Sequence, residues 1–129
     1  MLQGHDYTSG VWQFEGSFLV RSGTEGACIF QVFGAATAST TLQLRVYGGN
    51  LWIYRNQIVA SNIYDKSFKL NVIHDVANSR VTVFINGEQR AQVGGRGPSN
   101  FYFKYGVYAQ DGSSNSMESR WSFVRLLKR

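Results

Sequence analysis

This sequence lacks paired thiols, long oily runs and any helical rhythm of apolar residues. Cysteine occurs once, so Cys28 has no partner for an internal disulfide and cannot build a zinc–thiolate cluster. A lone thiol neither demands an oxidising compartment nor excludes one. Set among apolar neighbours in GACIFQVFG, Cys28 reads as a small buried residue and not as a nucleophile, which would need an activating base. No apolar run approaches the length that crosses a bilayer, so no membrane partner is expected. The opening MLQGHDYTSG has no basic segment followed by an apolar one, and no secretory signal is expected within it. Acidic residues are few: eight against thirteen Lys plus Arg leave a net charge of +5, a field that favours anionic ligands. The cations are scattered from Arg21 to Arg129, dense only in the tail RLLKR, so nucleic acid is not an expected partner.

The chain does hold 43% hydrophobic and 15% aromatic residues over 129 positions, enough to bury a core as one domain spanning 1–129. Fourteen glycines and a single proline, Pro98, punctuate short runs rich in Val, Ile, Phe, Tyr and Thr. Strands are predicted at Trp12–Val20, Ala27–Phe33, Thr41–Tyr47, Leu51–Tyr54, Phe68–Asp75, Arg80–Ile85, Gln89–Val93, Tyr102–Ala109 and Ser119–Leu126. Between them YGGN at 47–50, VANS at 76–79 and ING at 85–87 are turn chemistry, with Gly or Asn free to take positive φ, and imply hairpins. Many short strands with no helix to cover a parallel sheet predict an all-β fold, two antiparallel sheets packed as a sandwich or jelly roll.

Alternation then sorts side chains to faces. In YFKYGVYAQ, Tyr102, Lys104, Gly106, Tyr108 and Gln110 fall opposite Phe101, Phe103, Tyr105, Val107 and Ala109. In TLQLRVY, Thr41, Gln43, Arg45 and Tyr47 oppose Leu42, Leu44 and Val46. In VWQFEGSFLV, Gln13, Glu15 and Ser17 oppose Trp12, Phe14 and Phe18. A curved sheet with its concave face free would display such polar rows to a ligand, although any half-buried sheet produces the same pattern. His74 shares its side with Phe68, Leu70 and Val72, so it reads as a core or edge histidine and not as a base.

The motifs VWQFEG, IFQVFGA, YFKYGVYAQ and MESRW, in that order, resemble the alginate-lyase-like superfamily of β-jelly-roll proteins, polysaccharide lyase family 7. The resemblance covers nearly the whole chain and is strongest to the plant branch often called citrate-binding proteins. It implies a concanavalin-like jelly roll with a cleft across one curved sheet, and a secreted or vacuolar setting. Lyases of the family cleave polyuronates by β-elimination, which requires a neutralised carboxylate, a base and an acid. By the resemblance Tyr108 takes the catalytic tyrosine's place, Lys104 and Gln110 line the cleft, Tyr102 opens the row, and Gln31 survives from the glutamine–histidine motif. Phe33 stands where that histidine would be, and a phenyl ring takes no proton. The family's arginine strand would precede GHDYTSG, where the given chain reads MLQ. A sheet without that strand is expected to leave an edge open beside VWQFEG, inviting a homodimer.

The expectation is therefore a non-catalytic protein that binds an anionic saccharide of polyuronate type, or a small polycarboxylate such as citrate. Gln31, Arg45, Tyr102, Lys104, Tyr108 and Gln110 are the candidate ligand contacts, with Trp52 either a sugar platform or core. No cofactor or metal is expected. The alternative is an enzyme, a polyuronate lyase or another elimination or cyclisation with Tyr108 as acid and base. A purely structural surface module is the third class.

Overall fold

The computed structural model describes residues 6–36, 39–109 and 117–129, with Tyr108 and Ala109 described for their backbone alone. Ten strands account for most of it: β1 (Val11–Val20), β2 (Ala27–Phe33), β3 (Thr40–Tyr47), β4 (Asn50–Ile53), β5 (Gln57–Ala60), β6 (Ser67–Asp75), β7 (Arg80–Ile85), β8 (Glu88–Gly94), β9 (Tyr102–Ala109) and β10 (Ser119–Lys128). They form two five-stranded antiparallel sheets, ordered β10-β1-β6-β7-β8 and β5-β4-β3-β2-β9. The predicted hairpins are present. Tyr47 pairs with Asn50 across Gly48 and Gly49, at φ 60° and 76°, and Ile85 pairs with Glu88 across Asn86 and Gly87, at φ 52° and 82°. Two successive positive φ values match the twist of the flanking strands, which is why Gly and Asn occupy those corners.

Two expectations change. Strand β5, QIVA, was not anticipated; at four residues with Gln57 and Ile58 exposed, it is too short to show an alternation. More consequentially, β1 is not an edge: β10 pairs along one side of it and β6 along the other. The open edge expected beside VWQFEG is filled by the C-terminal strand, so that route to a homodimer is removed.

The core lies between the sheets. Phe14, Phe18, Leu70, Val72, Val81, Val83 and Ile85 from the first sheet face Phe30, Val32, Leu42, Leu44, Val46, Leu51 and Phe103 from the second, all at most 1% exposed. Each such side chain contributes about 1.5–3 kcal/mol by leaving water. Phe14 sits at the centre, with ring centroids 4.7 Å from Phe30, 5.8 Å from Phe103 and 5.7 Å from Trp121. At one end of the sandwich Tyr7 bridges to Phe101 by two backbone hydrogen bonds, and its hydroxyl lies 2.8 Å from His74 Nδ1. His74 is 2% exposed, so the core reading of this residue holds. Burial pushes its pKa down to about 4 and keeps the imidazole neutral at physiological pH.

Candidate functional site

The second sheet turns one side to the core and the other, a polar side, away from it. Register across β3, β2 and β9 places Gln43 opposite Gln31 and Gln31 opposite Lys104, three polar residues in one cross-strand row. The next row carries Phe33 beside Tyr102, their rings stacked at 5.0 Å, with the Lys104 ammonium 5.2 Å from the Phe33 centroid. On the other side of the glutamines, Cys28 pairs with Arg45 and with the backbone of Tyr108, and Arg45 pairs with Trp52. Four of the sequence-derived candidates, Gln31, Arg45, Tyr102 and Lys104, thus stand on one continuous face. Tyr108 is described for its backbone alone, which pairs with Cys28, and Gln110 lies outside the described residues.

Arg45 is held in place by its neighbours. Its Nε donates to Gln43 Oε1 at 2.7 Å and a terminal nitrogen donates to the Tyr47 hydroxyl at 3.3 Å, while the guanidinium carbon lies 5.4 Å from the Tyr54 centroid. Trp52 is half-buried on this same polar side, its indole N–H donating to the Tyr47 carbonyl and its ring edge-on to Tyr47. Cys28 beneath the face is fully buried, and burial pushes its thiol up to about 11. That agrees with an inert core thiol.

Three residues join the face that sequence reasoning missed. Arg96 places its guanidinium 4.5 Å from the Tyr54 centroid and donates to the Thr40 carbonyl at 3.4 Å. Arg55 lies 4.0 Å over the Tyr47 ring, above a small pocket of about 130 Å³ that Trp52 completes. Tyr54 itself, at φ 48°, bonds Thr40 through its hydroxyl. Arg96 arrives from the irregular stretch GGRGPSN, which is clamped against the end of β2. A Cβ on Gly34 would come within 2.6 Å of the Asn100 carbonyl, one on Gly97 within 2.6 Å of the Ala36 methyl, and the Ala36 N–H donates to the Arg96 carbonyl at 2.9 Å. The only signal in the sequence was the cluster of glycines around a single arginine, which marks a close approach without naming its partner.

Electrostatically the face is one-sided. The described ion pairs are Arg21–Asp65, Arg90–Glu88, Arg120–Glu118 and Arg125–Glu15, so among the described residues Arg45, Arg55 and Arg96 have no carboxylate partner. Arg45 and Arg96 share one aromatic ring, which brings two positive centres within about a Debye length, ~10 Å, of each other. The amphipathic β1 does not contribute. It lies in the first sheet, so Gln13, Glu15 and Ser17 point away from this face and the three polar rows do not converge.

A sandwich of two antiparallel sheets is also the architecture of the jelly-roll alginate lyases. An alginate lyase from Corynebacterium sp. superposes with a TM-score of 0.75 at 16% identity, over 95% of this chain and 60% of that one. The polysaccharide lyase family 7 alginate lyase AlyA1 from Zobellia galactanivorans gives 0.73 at 15%, over 96% and 65%. At such identities the likeness establishes the fold. The sequence itself goes further: residues 1–128 match the alginate lyase family model, and the chain belongs to that family. It is 55% identical over 128 residues to a protein from Hevea brasiliensis named citrate-binding protein, spanning 98% of this chain and 54% of that protein. The chain therefore covers about half the length of this relative.

Proposed function

We propose that this chain is a non-catalytic binding protein that takes a small polycarboxylate, citrate being the reference ligand, on the polar face of the second sheet. The observation that carries the reading is the pair of guanidinium groups of Arg45 and Arg96 over Tyr54, with no carboxylate partner among the described residues. Like charges gathered over one ring repel; an anion between them turns repulsion into charge-assisted, forked hydrogen bonding. Arg55 and Lys104 extend the positive field on either side, and the 55% identity to a citrate-binding protein supports the same ligand class. Phe33 supports a role without catalysis: where a proton acceptor would act there is a hydrocarbon ring stacked on Tyr102. His74 offers no replacement, being buried at the Tyr7 end of the sandwich.

An anionic saccharide is the second reading, favoured by the stacked Phe33–Tyr102 pair and by family membership. The same face would then grip a uronic-acid unit, and a lyase acting through Tyr108 would add turnover to binding. Calorimetric titration with citrate and with short uronic-acid oligosaccharides separates these. The expected result is saturable heat with citrate, weakened by salt and weakened roughly tenfold or more in Arg45→Ala or Lys104→Ala. Binding indifferent to salt and to both substitutions refutes the reading. Heat that continues after each saccharide injection and disappears in Tyr108→Phe would establish the enzyme instead.

A further inference from the structure

We infer that the outer side of the first sheet carries a second, separate binding site, for a uronic-acid residue of a saccharide, built around Phe123. Between the pairs Glu15–Arg125 and Ser17–Ser122 the β1–β10 register shifts, so that Phe123 and Val124 together occupy the place opposite Gly16. In that bulge Phe123 takes φ 55°, in the left-handed region that bulky side chains rarely adopt, and the residue is 86% exposed. Core packing accounts for neither feature. A bulge re-aims a side chain, and a strained backbone that returns no burial marks a surface held for contact with something else.

The ring borders a depression of about 340 Å³ whose other walls include Glu15, Ser17, Lys69 and Arg125. That size lies within the range of small-ligand pockets, about 300–1,000 Å³. The Glu15 carboxylate is already taken by Arg125, whose Nε donates to it at 3.0 Å. Among the described residues Lys69 has no ion pair, and it is the positive charge left over in the depression. A hexuronic acid matches this set: its apolar ring face covers Phe123, its carboxylate meets Lys69, and the Ser17 hydroxyl and Arg125 N–H groups face its hydroxyls. A protein partner fits less well, since one aromatic ring with three charged neighbours falls far short of the ~800 Å² per side of a stable interface. The site lies on the sheet opposite the polar face of β2, β3 and β9, and it stands whether or not that face binds citrate.

The test follows backbone amide NMR shifts while a uronic-acid trisaccharide is titrated into the whole chain and into Phe123→Gly and Lys69→Ala. Glycine accepts the positive φ, and both side chains are exposed, so both variants keep the fold. The inference expects saturable shifts at Ser17, Lys69 and Phe123–Arg125, with affinity there reduced about tenfold by losing the ring. Shifts around Gln31, Arg45 and Lys104, where present, are expected to be the same in both variants. The inference is overturned if the Phe123 region does not respond in the unsubstituted chain, or if it responds with unchanged affinity in both variants. It is also overturned if its shifts follow protein concentration without saccharide, which would make the patch a contact between copies.

Discussion

His74 should make this protein acid-sensitive by a calculable amount. The imidazole is 2% exposed, packed edge-on against Phe101 with centroids 4.7 Å apart and joined to the Tyr7 hydroxyl. Burial lowers its pKa from 6.5 to about 4, against a smaller opposing pull from Asp75. Burial also raises the Tyr7 phenol far above its ordinary range, so both members of the pair stay neutral near pH 7. Between pH 6.5 and 4 the unfolded chain carries a proton on His74 that the native state refuses. The native state binds fewer protons, so its stability falls as pH falls. The full effect is about 3 kcal/mol, at about 1.4 kcal/mol per pH unit, and is complete near pH 4. For a domain stable by some 5–15 kcal/mol this is a large fraction. Asp75, which hydrogen bonds to Asn78 hold below its ordinary value, loses its own contribution at lower pH. The assay is denaturant unfolding of the native chain and of His74→Gln from pH 7.5 to 4. The stability difference between the two should shrink by about 3 kcal/mol on acidification. Curves that stay parallel over this range would refute a buried neutral histidine.

Gly34→Ala should destabilise by about 1–3 kcal/mol, because φ is 111° and the new methyl would sit 2.6 Å from the Asn100 carbonyl; chemical denaturation measures the loss. If the clamp positions Arg96, the same substitution should also weaken anion binding in calorimetry, whereas unchanged affinity would separate the loop from the site. Cys28, fully buried with its thiol at about 11, should resist a thiol reagent at pH 8 in the native protein and react fully in denaturant. Rapid native labelling would mean that β2 opens.

Much of the architecture was legible because it is local. Alternation in TTLQLRVY and YFKYGVYA assigns each residue to a face without reference to any other strand, and the cores of β3 and β9 are the predicted Leu42, Leu44, Val46 and Phe103. The turns at Gly48–Gly49 and Asn86–Gly87 are set by the φ values their residues tolerate. His74 and Cys28 lie where their apolar neighbours imply.

What period-two patterning cannot carry is the identity of the sheet a strand joins. Glu15 and Ser17 show the same split as Gln43 and Arg45, yet β1 pairs with β10 and β6, so its polar row ends up on the other side of the molecule. The polar face of the second sheet likewise draws Arg96 and Arg55 from segments with no strand pattern. Arg96 is carried there by a glycine-to-backbone approach between residues 34 and 100. Such contacts are decided by packing between segments far apart in the chain, whereas the face a side chain turns to is decided by its own position in the pleat.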